Sequence, residues 1–249
     1  MDLIKVEETE STNSLAVRLL SEYSAPFGVM AYRQTAGRGQ RGNSWESAPG
    51  ANVTMSVVCC PDTVRAADQF IISQAISVSI VDVLCHYLPD HVADIAVKWP
   101  NDIYVGDNKI CGILIENSLN GNSIVRSVVG VGLNVNQTEF VSDAPNPVSM
   151  KQLSGCGFNV DDVAGRIGET FLRVFDSARS SDGSAKLRDR YFSMLWRSDG
   201  YYPYVETATG HRFEAMISDI GRSGLLTLTE RDGRSRTYAF KEVQACLGD

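Results

Sequence analysis

Two short glycine turns in the middle of the chain constrain its fold more than any other feature. They lie at Gly106-Asp107-Asn108 and Asn120-Gly121-Asn122, between runs of apolar and β-branched residues. Turns this short join antiparallel strands. The sequence therefore predicts consecutive hairpins, built from strands at residues 95–99, 103–105, 109–116 and 124–136.

Helical patterns lie on both sides of these hairpins. A short one covers residues 13–22, and a long apolar one covers residues 66–88 and stops at Pro89. Two amphipathic helices are predicted at about 161–179 and 184–196. Further strands are predicted at 28–33 and 52–60. This arrangement predicts an α+β protein whose sheet is mixed but largely antiparallel.

The sequence pattern changes from helical to strand-like after Asp199. Short alternating strands at 202–206, 212–219, 225–230 and 236–243 are separated by glycine turns. They predict a small β-barrel of roughly 50 residues, near the lower limit for a unit that folds alone. We therefore predict two domains, residues 1–197 and residues 198–249.

The composition excludes several classes of protein. The 249 residues are 43% hydrophobic and 21% charged, as in an ordinary globular protein, and the net charge of −7 disfavours wide contact with DNA or RNA. No apolar run is expected to approach a membrane span, and the acidic start is unlike a signal peptide, so we expect a cytoplasmic protein. The six cysteines form no C-x-x-C pair and are predicted to be buried, reduced thiols.

The stretch QTAGRGQRGNSW, residues 34–45, contains glycines with the spacing of a dinucleotide-binding turn. A strand pattern follows it, whereas such a turn needs a helix to hold pyrophosphate, so we reject that reading. Arg38 and Arg41 are planar donors suited to a small anion, and Trp45 offers a stacking surface. A mobile surface connection is the alternative; an RNA-binding repeat fits less well, because the stretch is single and the chain is acidic.

Two further stretches contain candidate ligand-binding residues. VKWPNDIYVGDNKICGILIEN places Lys98, Asp102 and Lys109 in one hairpin, which suits an anionic substrate or hydrated Mg²⁺. The alternative is a solvated hairpin end with a surface ion pair. In VVGVGLNVN, Gly130 and Gly132 share one strand face, where missing side chains leave either a groove or room for close packing.

Five motifs in this order resemble those of biotin–protein ligases, also called biotin–[acetyl-CoA-carboxylase] ligases: STN, QTAGRGQRG-x-x-W, KWPND, K-x-x-G-I-L-I-E and GVGLNVN. The resemblance covers residues 9–137 by motif. It implies a core like that of class II aminoacyl-tRNA synthetases and an SH3-like C-terminal barrel. It also implies that biotin and ATP, with Mg²⁺, form biotinyl-5′-AMP, from which biotin passes to one lysine of a biotin carboxyl carrier protein.

The resemblance also implies roles for individual residues. Catalysis is assigned to Lys109 and Arg38, and Asp102 is the candidate for holding Mg²⁺ or orienting Lys109. The nucleotide-binding residues that it implies are Arg38, Arg41, Trp45 and Asn134. The biotin-binding residues that it implies are Ser11, Thr12, Asn13, Gln34, Gly37, Arg38, Gly39, Gln40, Lys109, Gly112, Ile113 and Gly132. Many members of the family have arginine at the positions of Gln40 and Asn43, which puts the retention of the adenylate in question.

Two other functions fit the same pattern less well. A lipoate or octanoate ligase or transferase shares the core and a carrier lysine but lacks the arginine-containing glycine loop, and a biotin sensor would bind without catalysis. Larger ligases begin with a DNA-binding domain, whereas here the STN motif follows ten residues after Met1, so we expect no DNA binding. The loop at 138–149 is predicted to order over the adenylate, and a homodimer through exposed sheet edges is compatible with the sequence.

Overall fold

The computed structural model describes residues 1–141 and 146–246, without the side chain of Arg41. The helices of the described residues are α1 Thr12–Arg18, α2 Phe70–Tyr87, α3 Met150–Ser154, α4 Val160–Ser177 and α5 Ser181–Ser193. The strands are β1 Asp2–Thr9, β2 Phe27–Gln34, β3 Val53–Cys59, β4 Ile95–Lys98, β5 Asp102–Val105, β6 Asn108–Asn120, β7 Ser123–Leu133, β8 Tyr202–Glu206, β9 Arg212–Ile220, β10 Leu226–Glu230, β11 Ser235–Tyr238 and β12 Val243–Ala245. The predicted α+β class is confirmed.

The first sheet has seven described strands in the order β1-β2-β3-β7-β6-β5-β4. Strand β1 runs parallel to β2, and every other neighbouring pair is antiparallel. The predicted hairpins are present, but each turn is one residue shorter than expected. Val105 already pairs with Asn108, and Asn120 with Ser123. The first turn residues, Gly106 and Gly121, have positive φ, which glycine adopts without strain.

Helices cover the two faces of this sheet unequally. Neighbouring strand residues point to opposite faces. Val57 and Val129, which are cross-strand partners, belong to the large core under α2, α4 and α5. Val58 and Val128 form a smaller apolar group with Ala16 of α1 on the other face. The α1 face is therefore only partly covered, and the space beside α1 remains available for a ligand.

Two elements, β1 and α3, were not predicted from the sequence. Strand β1 carries charged residues and lies at the edge of the sheet, where both its edge and much of its surface meet solvent, so its apolar alternation is weak. Helix α3 begins at a capping box in which Ser149 and Gln152 bond to each other's backbone N–H groups, and it ends at Gly155 with φ of 76°. The capping-box pattern is present in the sequence, but it was not interpreted as a helix start because it lies at the end of the predicted loop.

Helix α2 differs from the prediction that no apolar run approaches the length of a membrane span. By length and composition alone, residues Ala66–Tyr87 could cross a membrane, so the expectation that no apolar run approaches this length was wrong. In the fold, 67% of its most apolar window is buried. It packs against α4, α5 and the sheet, which explains why it is apolar on all sides.

The second sheet follows the order β11-β10-β9-β8-β12 and is antiparallel. Within the described part of the chain no ladder joins β11 to β12, so the sheet is not closed as a barrel, and the predicted last strand is split between these two. Its apolar face shares one core with the first sheet through Ile220, Leu226 and Val243. Trp99 connects the two sheets by donating from Nε1 to the carbonyl of Gly224 at 2.9 Å.

The cysteines are only partly as predicted. All six are free thiols, but only Cys59 and Cys111 are buried, whereas Cys60 and Cys156 are exposed. The expectation of general burial was therefore wrong. Cys59 and Cys111 follow the alternation of their strands toward the helix-covered core, which the cysteine count alone does not predict.

Candidate functional site

The glycine loop between β2 and β3 folds back on itself as a narrow antiparallel pair. The backbone N–H of Trp45 donates to the carbonyl of Gly37 at 3.0 Å, and the backbone N–H of Gly39 donates to the carbonyl of Asn43 at 2.7 Å. A short 3₁₀ turn, Gln40–Gly42, forms the tip. No α-helix follows before β3, which agrees with rejecting the dinucleotide turn. Gly37 must be small, because a Cβ there would lie 2.6 Å from the Trp45 carbonyl oxygen.

A polar network fixes the first residues of α1. Gln34 Oε1 accepts from the backbone N–H of Thr12 at 2.8 Å. Ser56 Oγ lies 2.8 Å from Thr12 Oγ1 and 2.6 Å from Asn13 Oδ1. Ser11 occupies the N-cap position of α1, but its hydroxyl makes no capping bond. The residues of the STN motif are all buried, so their polar groups face the interior of the site.

Three glycines on the α1 face of β6 and β7 form the floor beside this network. Gly112 and Gly132 are cross-strand partners, and Gly130 lies opposite Leu114. The indole of Trp45 rests on Gly112 and Gly132, and a Cβ on either glycine would overlap it. Asn13 approaches Gly130 in the same way. Missing side chains here create space that the loop and α1 share.

A β-bulge brings Lys109 to this face. Asp102 pairs with Gly112 and Tyr104 pairs with Lys109, which leaves Ile110 as the additional residue of β6. In a regular strand Lys109 and Gly112 would point to opposite faces, because they are three positions apart. With the bulge, Lys109 Nζ lies 2.7 Å from Asp102 Oδ1 and 5.8 Å from the centre of the Trp45 ring.

Lys98 forms a second cationic group. Its ammonium donates to the Tyr104 hydroxyl at 2.9 Å and lies 4.4 Å from the centre of that ring and 5.0 Å from that of Trp196. Burial lowers the pKa of Lys98, and the nearby Asp102 opposes this shift. The predicted grouping of two ammonium groups with one carboxylate is present, but only Lys109 is paired directly with Asp102.

Asn134 lies at the far end of β7 from the STN network. Its Nδ2 donates to the Val148 carbonyl at 3.1 Å, and its backbone bonds to Ile110 and Met150. Its Oδ1 is buried and has no partner among the described residues. A buried acceptor without a donor is costly and is typical of a position where a ligand supplies the donor.

These features border one cavity of about 770 Å³. Of the predicted site residues, it is bordered by Ser11, Thr12, Asn13, Gln34, Arg38, Gly39, Gln40, Trp45, Asp102, Lys109, Gly112, Ile113, Gly132 and Asn134. It extends to Tyr204 of the second sheet and to Phe240 in the connection between β11 and β12, neither of which sequence reasoning predicted. Among the described residues, no group of three or more His, Cys, Asp or Glu side chains is arranged to hold a metal ion.

Residues 4–134 match the model of the biotin/lipoate A/B protein ligase family. The match covers more than half of the 249 residues. The chain belongs to this family. The resemblance based on the five motifs is therefore confirmed at the level of the family.

Curated relatives are similar over different lengths. A biotin–[acetyl-CoA-carboxylase] ligase from Paracoccus denitrificans is 28% identical over 233 residues, 91% of this chain and 93% of that protein. The bifunctional ligase/repressor BirA of Escherichia coli strain K12 is 32% identical over 152 residues, 61% of this chain and 46% of that protein. The chain therefore matches less than half the length of the second relative.

Solved structures of biotin protein ligases share the fold. The enzyme of Aquifex aeolicus in complex with biotin and ATP has a TM-score of 0.77 at 19% identity, with 99% of both chains covered. The Leishmania major enzyme in complex with biotinyl-5-AMP has a TM-score of 0.67 at 20% identity, with 96% of this chain and 98% of that chain covered. The predicted α+β core with an SH3-like C-terminal unit is confirmed, but closure of that unit as a barrel is not observed among the described residues.

Three predicted site residues of this family member stand apart. Gly37 does not border the cavity, since it serves the close approach of the Trp45 backbone. Ile113 reaches the cavity without directing its side chain there, because the strand alternation places that side chain in the helix-covered core with Val131. The side chain of Arg41 lies outside the described part, as do residues 142–145 of the predicted closing loop.

Sequence reasoning missed two residues that support the site. Ser56 is a fully buried serine in a strand that is otherwise almost entirely apolar, and this contrast was a usable signal. Glu116 accepts from Asn13 Nδ2 at 2.7 Å and from Arg38 Nη2 at 3.2 Å. In the sequence Glu116 is only the last residue of the K-x-x-G-I-L-I-E motif. Its role was not predicted, because a sequence does not show that the glycine loop contacts this part of β6.

Proposed function

We propose that the protein is a biotin–protein ligase. The biotin carboxylate attacks the α-phosphorus of ATP, pyrophosphate leaves, and biotinyl-5′-AMP forms. The amine of a carrier lysine then attacks the acyl carbon, AMP leaves, and an amide forms. The observation that carries this proposal is that the STN network, Lys109, the glycine floor and Asn134 border one cavity.

The polar end of the cavity favours biotin over lipoate. Ser11, Thr12, Asn13 and Gln34 place hydroxyl and amide groups at one end of an apolar floor. A ureido ring has both N–H donors and a carbonyl acceptor for such groups, whereas a dithiolane ring has neither. Binding lipoate would leave these buried groups facing sulfur and carbon, which is unfavourable.

Lys109 and Arg38 supply the positive charge for acyl activation. Two anions, a carboxylate and a phosphate, must approach each other, so nearby cations lower the barrier. Lys109 stands beside the glycine floor, where the carboxylate would lie. Gly39 and Gln40 border the same cavity from the loop and are assigned to the carboxylate and the acyl phosphate. Closure of the 138–149 loop would protect the mixed anhydride from water.

The nucleotide is assigned to the other end. Asn134 Oδ1 is suited to accept from the exocyclic amine of adenine, and Trp45 and Arg41 are assigned to the nucleotide channel. Mg²⁺ would neutralise the polyphosphate. Since Asp102 is a single carboxylate already paired with Lys109, the ion would be held mainly by phosphate oxygens with Asp102 beside them, a common arrangement for Mg²⁺.

The partners and the location are part of the proposal. We infer a biotin carboxyl carrier protein of acetyl-CoA carboxylase, or of a related carboxylase, as the acceptor. We also infer action in the cytoplasm, and the net charge of −7 disfavours binding to DNA. A homodimer could form through exposed sheet edges. The change from helices to the second sheet between Ser193 and Tyr202 supports the division into domains 1–197 and 198–249.

The decisive experiment is exchange between ATP and labelled pyrophosphate in the presence of Mg²⁺. A biotin ligase catalyses exchange only when biotin is added, and it then labels a carrier domain with biotin. Exchange with lipoate or octanoate but not biotin would identify the lipoyl activity. Biotin binding without any exchange would identify a sensor and would refute the proposal.

A further inference from the structure

One carboxylate oxygen connects helix α1 to the glycine loop. Glu116 Oε2 accepts from Asn13 Nδ2 at 2.7 Å and from Arg38 Nη2 at 3.2 Å. The same guanidinium nitrogen donates to Ser14 Oγ at 3.3 Å. Arg38 is thus held against α1 and β6.

The strand register explains this position. Glu116 lies opposite Val128, and Val128 belongs to the apolar group on the α1 face. Two positions earlier, the carbonyl of Leu114 accepts from Asn13 Nδ2 at 3.3 Å. The amide of Asn13 therefore has two acceptors on β6, and only one of them is Glu116.

The ion pair between Arg38 and Glu116 is easily broken. The side chains are 45% and 42% exposed, and ion pairs that meet water are weak. Arg38 borders the main cavity and also a second, shallower cavity of about 480 Å³ that contains Glu116. Its guanidinium can therefore exchange one anion for another by turning within the loop.

We propose that Glu116 is a positioning residue that controls the availability of Arg38. It holds the glycine loop against α1 before substrates bind, and an anionic substrate group, a carboxylate or an acyl phosphate, replaces it as the partner of Arg38. The identity of that substrate rests on the proposed function. Because the substrate must compete with Glu116, the apparent affinity is lower than that of a free Arg38.

The contact can be tested without any substrate. Glu116→Gln keeps an acceptor for Asn13 but removes the charge that holds Arg38. We expect trypsin to cleave the ligand-free variant after Arg38 or Arg41 at least about twofold faster than wild type, since local opening limits cleavage. Glu10→Gln is the control, because Glu10 borders the same second cavity without an ion pair among the described residues. Equal cleavage of all three proteins would overturn the proposal.

Competition between Glu116 and the substrate for Arg38 predicts that removing the Glu116 charge lowers the KM for biotin. In biotin-dependent exchange, Glu116→Gln should lower the KM for biotin by about 1.5- to 5-fold, the range expected for an exposed ion pair, with kcat within about twofold. Glu116→Ala should show a higher KM than Glu116→Gln, because Asn13 then loses an acceptor. In an Arg38→Ala background, where exchange itself is weakened, Glu116→Gln should have no effect on the Kd for biotin measured by calorimetry.

The outcomes separate this inference from the proposed function. A raised KM in Glu116→Gln would show that the carboxylate does not compete with substrate for Arg38. Tighter biotin binding caused by Glu116→Gln in the Arg38→Ala background would show the same. If wild-type protein gave no biotin-dependent exchange, the proposed function would fail, whereas the tryptic result would still report on the contact between Glu116 and Arg38.

Discussion

Lys109 Nζ lies 2.7 Å from Asp102 Oδ1, although the two residues belong to neighbouring strands whose regular register would separate them. The bulge at Ile110 turns Lys109 to the face of Asp102 and Gly112. Both side chains are mostly buried, with exposures of 23% for Lys109 and 22% for Asp102. The carboxylate therefore fixes the ammonium beside the glycine floor.

Replacing Lys109 tests the charge that the proposed chemistry needs. Lys109→Ala should reduce biotin-dependent ATP–pyrophosphate exchange by about 100-fold or more, because the cation at the reacting carboxylate is lost. Lys186→Ala, at an exposed pair on α5, is the control and should keep wild-type exchange. Circular dichroism should show the same fold in all three proteins, and near-normal exchange in Lys109→Ala would remove this residue from the mechanism.

The glycine floor gives a steric prediction. An added Cβ at Gly132 would overlap the Trp45 indole, so Gly132→Ala must displace the loop from the floor. We expect the KM for biotin to rise by about tenfold, equivalent to about 1.4 kcal/mol of binding. Gly165→Ala on α4 is the control, because open space surrounds it and the substitution favours a helix. An unchanged KM in Gly132→Ala would show that biotin does not use this floor.

Much of the site was predictable because its residues fall in short, ordered motifs. Lys109, Asp102 and Asn134 were identified from the sequence, and the structure places all three on one cavity. The β-bulge that turns Lys109 toward Asp102 was not predictable, since it depends on the pairing of β5 with β6. The direction of the Ile113 side chain, toward the helix-covered core, was not predicted for the same reason, because alternation decides which face a strand residue occupies.

The fold was predictable where local signals were strong. Turns with glycine located the hairpins, and Pro89 located the end of the α2 region, whereas β1 lacked a signal because its partner follows 25 residues later and its surface is solvated. Ser56 and Glu116 were missed for a different reason. Their importance comes from α1 and the glycine loop converging on them, which only tertiary structure shows.

Ser56 should matter for both stability and binding. It is fully buried, donates its one proton to Asn13 Oδ1 and lies within hydrogen-bond distance of Thr12 Oγ1. Ser56→Ala leaves Asn13 Oδ1 without this donor and should cost about 1–3 kcal/mol of unfolding free energy. The KM for biotin should also rise. Ser79→Ala in α2 is a matched control, because that buried serine bonds only to the Ala75 carbonyl. It should lose stability without a change in KM, and equal KM values in the two variants would contradict a role for Ser56 in the site.

Burial of Cys59 predicts a loss of stability at alkaline pH. Burial raises the pKa of the thiol from 9.0 to about 12, so the folded state keeps a proton that the unfolded state releases. This stabilisation is complete below pH 9 and is lost as the pH rises toward 12. Between pH 8 and 10, urea unfolding in a reducing buffer should show wild type losing about 1.4 kcal/mol more than Cys59→Ala. The exposed Cys156→Ala should follow wild type, and parallel curves for all three would disprove the prediction.

The unpaired oxygen of Asn134 predicts base selectivity. Adenine presents an amine donor to Oδ1, whereas guanine presents a carbonyl that would repel it, so wild type should prefer ATP to GTP. Asn134→Ala should reduce this preference in kcat/KM by about tenfold or more. Stability should change little, because the variant loses the bond to Val148 but also removes a buried acceptor that lacked a donor. Thermal shifts with each nucleotide give an independent measurement. An unchanged ATP:GTP ratio with normal exchange would show that adenine lies elsewhere.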